Sequence, residues 1–165
     1  MRQISLRPMT RALCHALFQE WQNDPALYAD PSNCPPYQYD AAQVDAYYDA
    51  KQEPSRVVLA VMLGTRPIGE IHLKRIDREK RTCVMGIALQ NDAVKGKGYG
   101  TQAEKLAVRY AFDVLRLHTV LADVLIGNAR SQHVLEKVGF QFMKEDTQFR
   151  YYRYEDENEL YRSLP

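Results

Sequence analysis

Cysteine is scarce in this chain and poorly placed for any linking role. Cys14, Cys34 and Cys83 are odd in number, far apart, and form no C-x-x-C or C-x-x-H pair. That excludes a disulfide framework and a zinc site, and it predicts reduced thiols in a cytoplasmic protein. Excess charge is also missing. The formal net charge is +1 and the basic residues are scattered, so electrostatics offers no case for nucleic acid or an anionic membrane. No window approaches the roughly eighteen apolar residues of a membrane helix, and MRQISLRPMTRAL has no apolar segment suited to a secretory leader. Repeats and low-complexity linkers are absent. A length of 165 residues then predicts one domain over 1–165, large enough for a core without staples.

Elements can be read from period and punctuation. Residues 3–7 alternate polar and apolar before Pro8, which predicts a short strand. Thr10 is placed to cap a helix carrying Leu13, Leu17 and Trp21, and Asp40 to cap a second (AAQVDAYYDAK) in which Tyr47 and Tyr48 serve core and surface. Between them Pro25, Pro31, Pro35 and Pro36 keep 24–39 irregular. Strands are expected at 56–63, 68–76 and 82–89, the last with Gly86 marking a bulge or a close backbone approach. A long helix at 99–115 repeats Ala103, Leu106, Ala107, Tyr110, Ala111 and Val114 at helical spacing. A strand at 119–126 and a short helix at 129–138 follow, the helix capped by Asn128 and closed by Gly139. Two strands, 140–146 and 149–156, end the pass. The order β-α-α-β-β-β-α-β-α-β-β implies an α/β (α+β) mixed sheet, mostly antiparallel, with one parallel pair around the long helix.

What the chain does have is a concentration of glycine. Gly96, Gly98 and Gly100 are three of the eight glycines, interleaved with Lys95, Lys97 and Tyr99 and followed by Thr101. Strand, glycine-rich turn and helix N-terminus in that order make a phosphate site, because the backbone can approach the ligand and the first helical amides point at the anion. A Walker A loop is excluded, since no Gly-Lys-Ser/Thr occurs. A dinucleotide fingerprint fits poorly, since Thr101 stands where its third glycine belongs and three strands precede the turn.

The pattern between strand and long helix resembles the acyl-CoA loop of the GNAT superfamily of N-acetyltransferases, with Lys95 in place of the usual Arg or Gln. Thr101-Gln102-Ala103 continues as in many members, and NARSQHVLEKVGF (128–140) resembles a second family segment. The opening ISLRPMT resembles the first strand of the branch that acetylates protein N-termini, ribosomal proteins included. The resemblance spans nearly the whole chain.

It implies acetyl-CoA as co-substrate, with no metal, and a parallel strand pair that splays to admit pantetheine. The main chain of Ile87, Ala88 and Leu89 would be the pantetheine ledge, with Gly86 at a bulge that opens it. The amides of Lys95, Gly96, Lys97, Gly98, Tyr99, Gly100 and Thr101 would hold the pyrophosphate. Asn128 would hold pantetheine or the acetyl carbonyl besides capping its helix. Ser131 lies where several relatives place a hydroxyl near the sulfur, a candidate acid toward the departing thiolate. Other relatives use a tyrosine four positions on, where this chain has Leu135.

The expected chemistry is direct attack of a neutral amine on the thioester in a ternary complex. Deprotonating a lysine-like amine at neutral pH costs about 4 kcal/mol, against about 1 kcal/mol for an α-amine. The strand 82–89 has no carboxylate. Glu70 and His72, on one face of the neighbouring strand, are the candidates for base or water-holding groups, or else a polar outer face; Asp123 is weaker. A weak base favours a peptide or protein N-terminal α-amine as acceptor. The alternatives are a small-molecule amine such as a polyamine, amino acid or antibiotic, and a CoA-binding module without catalysis. No acidic cluster suited to a polyamine stands out. Tyr28, Tyr37 and Tyr39 are candidates for the acceptor wall, and Tyr151, Tyr152 and Tyr154 alternate with arginines in a tail that offers a surface to a second subunit, a homodimer.

Overall fold

A computed structural model of the chain describes residues 3–158. The strands are β1 (Ile4–Pro8), β2 (Val57–Leu63), β3 (Arg66–Asp77), β4 (Thr82–Leu89), β5 (Thr119–Leu125), β6 (Gln141–Glu145) and β7 (Phe149–Glu155). The helices are α1 (Arg11–Gln19), α2 (Ala41–Ala50), α3 (Tyr99–Asp113) and α4 (Ala129–Val138). Short 3-10 turns break the proline-rich connection at Pro25–Leu27 and Pro31–Asn33. The expected caps form: Thr10 Oγ1 accepts from the Leu13 amide at 3.1 Å, Asp40 Oδ1 from Gln43 at 2.9 Å, and Asn128 Oδ1 from Ser131 at 3.1 Å.

All seven strands form one sheet in the order β1-β2-β3-β4-β5-β7-β6. Every pairing is antiparallel except β4 with β5. That parallel pair is short, running only from Thr82–Thr119 to Val84–Leu121. Both strands continue beyond it without pairing to each other, so the sheet splits open toward Leu89 and Leu125. The expected bulge at Gly86 is absent, because β3 pairs with β4 without interruption from Gly69–Leu89 to Lys74–Val84. The irregularity lies at the far end, between Lys74 and Asp77, where Arg75 has φ 51°. The split therefore comes from the end of pairing with β5, with no kink in β4.

Two cores hold the layers together. On one face Ile71, Leu73, Met85 and Val120 are buried against the alanines 103, 107 and 111 of α3; small side chains let the helix sit close to the sheet. On the other, Cys14, Leu17, Phe18 and Val44 join α1 to α2. The buried stripe of α3 is rotated from the one its period suggests. Leu106 and Val114 are exposed, whereas Glu104, Val108 and Phe112 are buried. The cause is tertiary: α4 packs along that flank and Phe112 meets the Tyr154 ring of β7 at 5.8 Å. In the tail, Tyr152 is fully buried and Tyr154 is half-buried against Phe112 and Phe140, so both rings contribute to the core.

Gly139 ends α4 at φ 124°, and an added Cβ would lie 2.7 Å from the Tyr154 ring. Gly139→Ala is expected to cost roughly 1–3 kcal/mol through backbone strain and this clash, read as a lowered urea midpoint with unchanged slope. Among the described residues, no helix is long and apolar enough to cross a membrane.

Candidate active site

The split between β4 and β5 opens into two connected hollows. The outer one, about 100 Å³, runs from Gly100 along Ile87, Ala88 and Leu89 toward Arg130 and Val134. The inner one, about 350 Å³, passes between Met85–Ile87 and Ala122–Leu125 and reaches Lys74 and Asp123 on the α1/α2 face. Leu27, Ile87, Glu104, Asn128 and Ser131 line both.

At the outer end sits the glycine turn. Gly96 and Gly98 have φ 71° and 81°, which glycine adopts without strain. Among the described residues, every backbone amide from Gly96 through Thr101 donates to no other group; the first to do so is Gln102, to Gly98 O at 3.2 Å. These are the free donors of a turn joined to a helix N-terminus, and Gly100 among them lines the outer hollow. A diphosphate fits that donor set. The Lys95 amide does not contribute, since it donates to Asp92 O at 3.2 Å. Its ammonium bonds Asp24 Oδ2 at 2.8 Å and Asp92 Oδ1 at 3.3 Å. Partial burial works against the Asp24 charge, but Lys95, the Ala26 amide and Arg130 outweigh it and hold the carboxyl below its usual range. Lys95 thus ties the α1 connection to the turn, while Lys97 is exposed.

A second polar cluster lies on the α1/α2 face. Tyr47 of α2 donates its hydroxyl proton to Glu70 Oε1 at 2.6 Å. Arg56 Nη1 lies 3.0 Å from His72 Nδ1. A guanidinium only donates, so Nδ1 accepts and the ring proton sits on Nε2. That Nε2–H faces the Tyr47 oxygen at 3.1 Å, and Nε2 lies 3.2 Å from Glu70 Oε1. Burial first, then the Glu70 charge, pushes the Tyr47 hydroxyl far above its ordinary pKa. Glu70 Oε2 is buried without a partner. Strand register sets His72 opposite Gly86 and Glu70 opposite Ala88, so the cluster stands one strand from the split.

Glu70 and His72 are therefore brought together, as their alternation on β3 suggests, and Tyr47 joins them. Ser131 and Asn128 are placed elsewhere, on the α4 side of both hollows. The Ser131 hydroxyl makes no hydrogen bond among the described residues. Asn128 lines both hollows; its Oδ1 is used in capping and its Nδ2 makes no hydrogen bond among the described residues. Of the candidate acceptor tyrosines, Tyr37 lines a separate hollow with Phe18 and Tyr47, whereas Tyr39 is bound to His15 Nδ1 at 2.7 Å. Tyr28 lines neither the hollows at the split nor the one beside Tyr37.

Comparison with known proteins bears on this geometry. The profile of the family described as Acetyltransferase (GNAT) domain matches residues 3–141. A Bacillus subtilis (strain 168) protein designated an N-acetyltransferase, YjcK, is 43% identical over 76 residues, covering 46% of this chain and 41% of that protein. A second from the same organism, designated a ribosomal N-acetyltransferase, YdaF, is 33% identical over 72 residues, covering 44% and 39%. The matched stretches thus span about two fifths of these curated relatives' length. In fold, the chain is similar to spermidine N-acetyltransferase from Vibrio cholerae solved with CoA and spermine. The TM-score is 0.77 at 19% identity, over 96% of this chain and 98% of that one.

Proposed function

This chain belongs to the GNAT acetyltransferase family, and from that premise we propose that it is a single N-acetyltransferase domain over 1–165 that transfers the acetyl group of acetyl-CoA to the α-amine of a protein or peptide N-terminus. The observation that carries the acetyl-CoA part is the run of unpartnered amides from Gly96 to Thr101 at the mouth of a split sheet. Those amides hold the diphosphate, helped by the α3 dipole at roughly 0.3–1 kcal/mol per favourable charge. The edge of β4 beyond Val84, at Ile87, Ala88 and Leu89, offers main-chain groups to the pantetheine amides. Asn128 Nδ2 donates to a carbonyl of the same arm. Acetyl-CoA supplies the activated thioester carbonyl. The V. cholerae fold relative binds CoA, which supports this assignment, and three free thiols suit the cytoplasm.

The amine enters from the α1/α2 face, where the inner hollow meets Lys74 and Asp123. The free proton acceptors near it are carboxylates, with no free imidazole among them. The basic lone pair of His72 is taken by Arg56 and Glu70 Oε1 accepts the Tyr47 hydroxyl, which leaves the unpartnered Glu70 Oε2 and Asp123 as the acceptors on this face. Such a site suits an amine that is partly neutral at pH 7, hence an α-amine, where deprotonation costs about 1 kcal/mol. The resemblance to YdaF points the same way, whereas the fold relative acting on spermidine supports a polyamine.

Matched acceptors separate these readings. Acetyl transfer followed by mass spectrometry is expected to show at least tenfold higher kcat/KM for a lysine-free peptide with a free N-terminus than for a blocked, lysine-bearing peptide or spermidine. A preference for spermidine or the blocked peptide would overturn the acceptor assignment and leave acetyl transfer standing. Failure to bind millimolar acetyl-CoA in calorimetry would remove both.

A further inference from the structure

Glu104 is the buried carboxylate that none of these roles uses. It is 2% exposed on α3, its Oε2 is buried without a partner, and no hydrogen bond or ion pair reaches the side chain among the described residues. It lines both hollows, together with Ile87, Asn128 and Ser131. Its level in the cleft follows from the two elements that flank it. Gly100 and Leu89 are neighbours, with an added Gly100 Cβ 3.9 Å from Leu89 Cδ1. From there, four helical residues carry α3 about 6 Å inward to Glu104, and two strand residues carry β4 about 7 Å inward to Ile87. The carboxyl therefore sits at the α3-side mouth of the passage through the sheet, across from the face where the amine enters.

Resting on the acetyl-transfer reading, we propose that Glu104 is the proton donor to the thiolate that leaves when the acetyl group is transferred. The amine nitrogen bonds to the acetyl carbon and the carbon–sulfur bond breaks, its electron pair staying on sulfur. The Glu104 proton passes to that sulfur. The surplus amine proton leaves on the opposite face to Glu70 or to water, and Glu104 regains its proton from solvent as the products depart. Leu135 lines the inner hollow beside Glu104, so α4 supplies no acidic group at that position. Burial pushes the Glu104 carboxyl up to about 8, so it holds its proton at neutral pH. The charged groups around the hollows are Lys74 and Asp123 at the inner one and Asp24, Lys95 and Arg130 at the outer one. Asp24 and Lys95 neutralise each other, and none pairs with Glu104.

The test uses the full chain, with E104Q as isosteric variant and E104D as conservative rescue. Wild-type kcat should fall as pH rises above about 8. E104Q should lose about 10²-fold in kcat with KM for acetyl-CoA within threefold, and should lack that alkaline fall. E104D should recover part of the rate. Carboxyl-carbon NMR of the free protein, labelled at glutamate side chains and assigned with E104Q, should show one carboxyl titrating near 8. A kcat for E104Q within twofold of wild type, a loss confined to KM, or Glu104 titrating in the ordinary carboxylate range would each overturn the assignment alone. Absence of turnover by the wild type with every amine, despite acetyl-CoA binding, would overturn the acetyl-transfer reading along with it.

Discussion

Replacing Gly100 with aspartate is expected to weaken acetyl-CoA binding by about 10²-fold or more while leaving the fold as stable as before, or more so. Gly100 is the second residue of α3 and its φ is not positive; a Cβ there meets nothing closer than Leu89 Cδ1 at 3.9 Å. A side chain is thus accommodated. Losing a helical glycine gains up to about 1 kcal/mol, and an acid in the first turn gains roughly 0.3–1 kcal/mol from the dipole. The same carboxylate would lie among the amides that a diphosphate needs. Like charges about 4 Å apart repel by about 1 kcal/mol in water and about 4 kcal/mol at an effective dielectric constant of 20. Substitutions at Gly96 or Gly98 would be harder to interpret, because both have positive φ and any side chain there adds strain. Calorimetry with acetyl-CoA, paired with a thermal melt, checks this. An affinity within threefold of wild type would remove the glycine turn as the anion cradle.

The parts of this site that sequence reveals are those written in local order. The glycine turn, the Asn128 cap and the strand at 82–89 depend on neighbours a few residues away, and all three appear where spacing puts them. The β-α-α-β-β-β-α-β-α-β-β order was legible for the same reason. What escaped reading depends on groups distant in the chain. Tyr47 looks like a half-buried helix residue until α2 crosses β3 and its hydroxyl meets Glu70 and His72. The Lys95 amide looks like a pyrophosphate donor until the short turn at 92–94 takes it for Asp92 O, and its side chain is tied to Asp24 at 2.8 Å by the proline-rich connection. The opening of the sheet was assigned to Gly86, whereas it arises where β5 ceases to pair after Leu121. Glu104 was hidden by helical period. It stands next to the alanine stripe, as a solvent-facing residue would, and only α4 and the split sheet enclose it. One signal was available: Glu104 falls at i+4 from Gly100 and i−3 from Ala107, on the flank of the helix that continues the glycine cradle.

The buried carboxyl should also be visible in stability, through a pH dependence that Glu104→Leu removes. In the folded chain the carboxyl keeps its proton up to about 8, whereas its ordinary value is 4.5. Between those values the folded state binds a proton that the unfolded chain has released, so stability falls as pH rises through that window. It is level below the window and above it. Each unit of displacement corresponds to about 1.4 kcal/mol, so by pH 7 the contribution amounts to about 3 kcal/mol. Leucine has no proton to lose and is close in volume. Urea titrations should therefore show the variant's advantage growing by about 3 kcal/mol between pH 4.5 and pH 7, and levelling above about pH 8 at about 5 kcal/mol more than at pH 4.5. Parallel pH profiles for the two proteins would mean that the carboxyl ionises normally, and the proton-donor assignment would fall with it. The predicted combination, a more stable protein that has lost turnover, is the signature of a group retained for chemistry at the expense of the fold. A structural role for Glu104 predicts the reverse, because removing a structural side chain lowers stability at every pH.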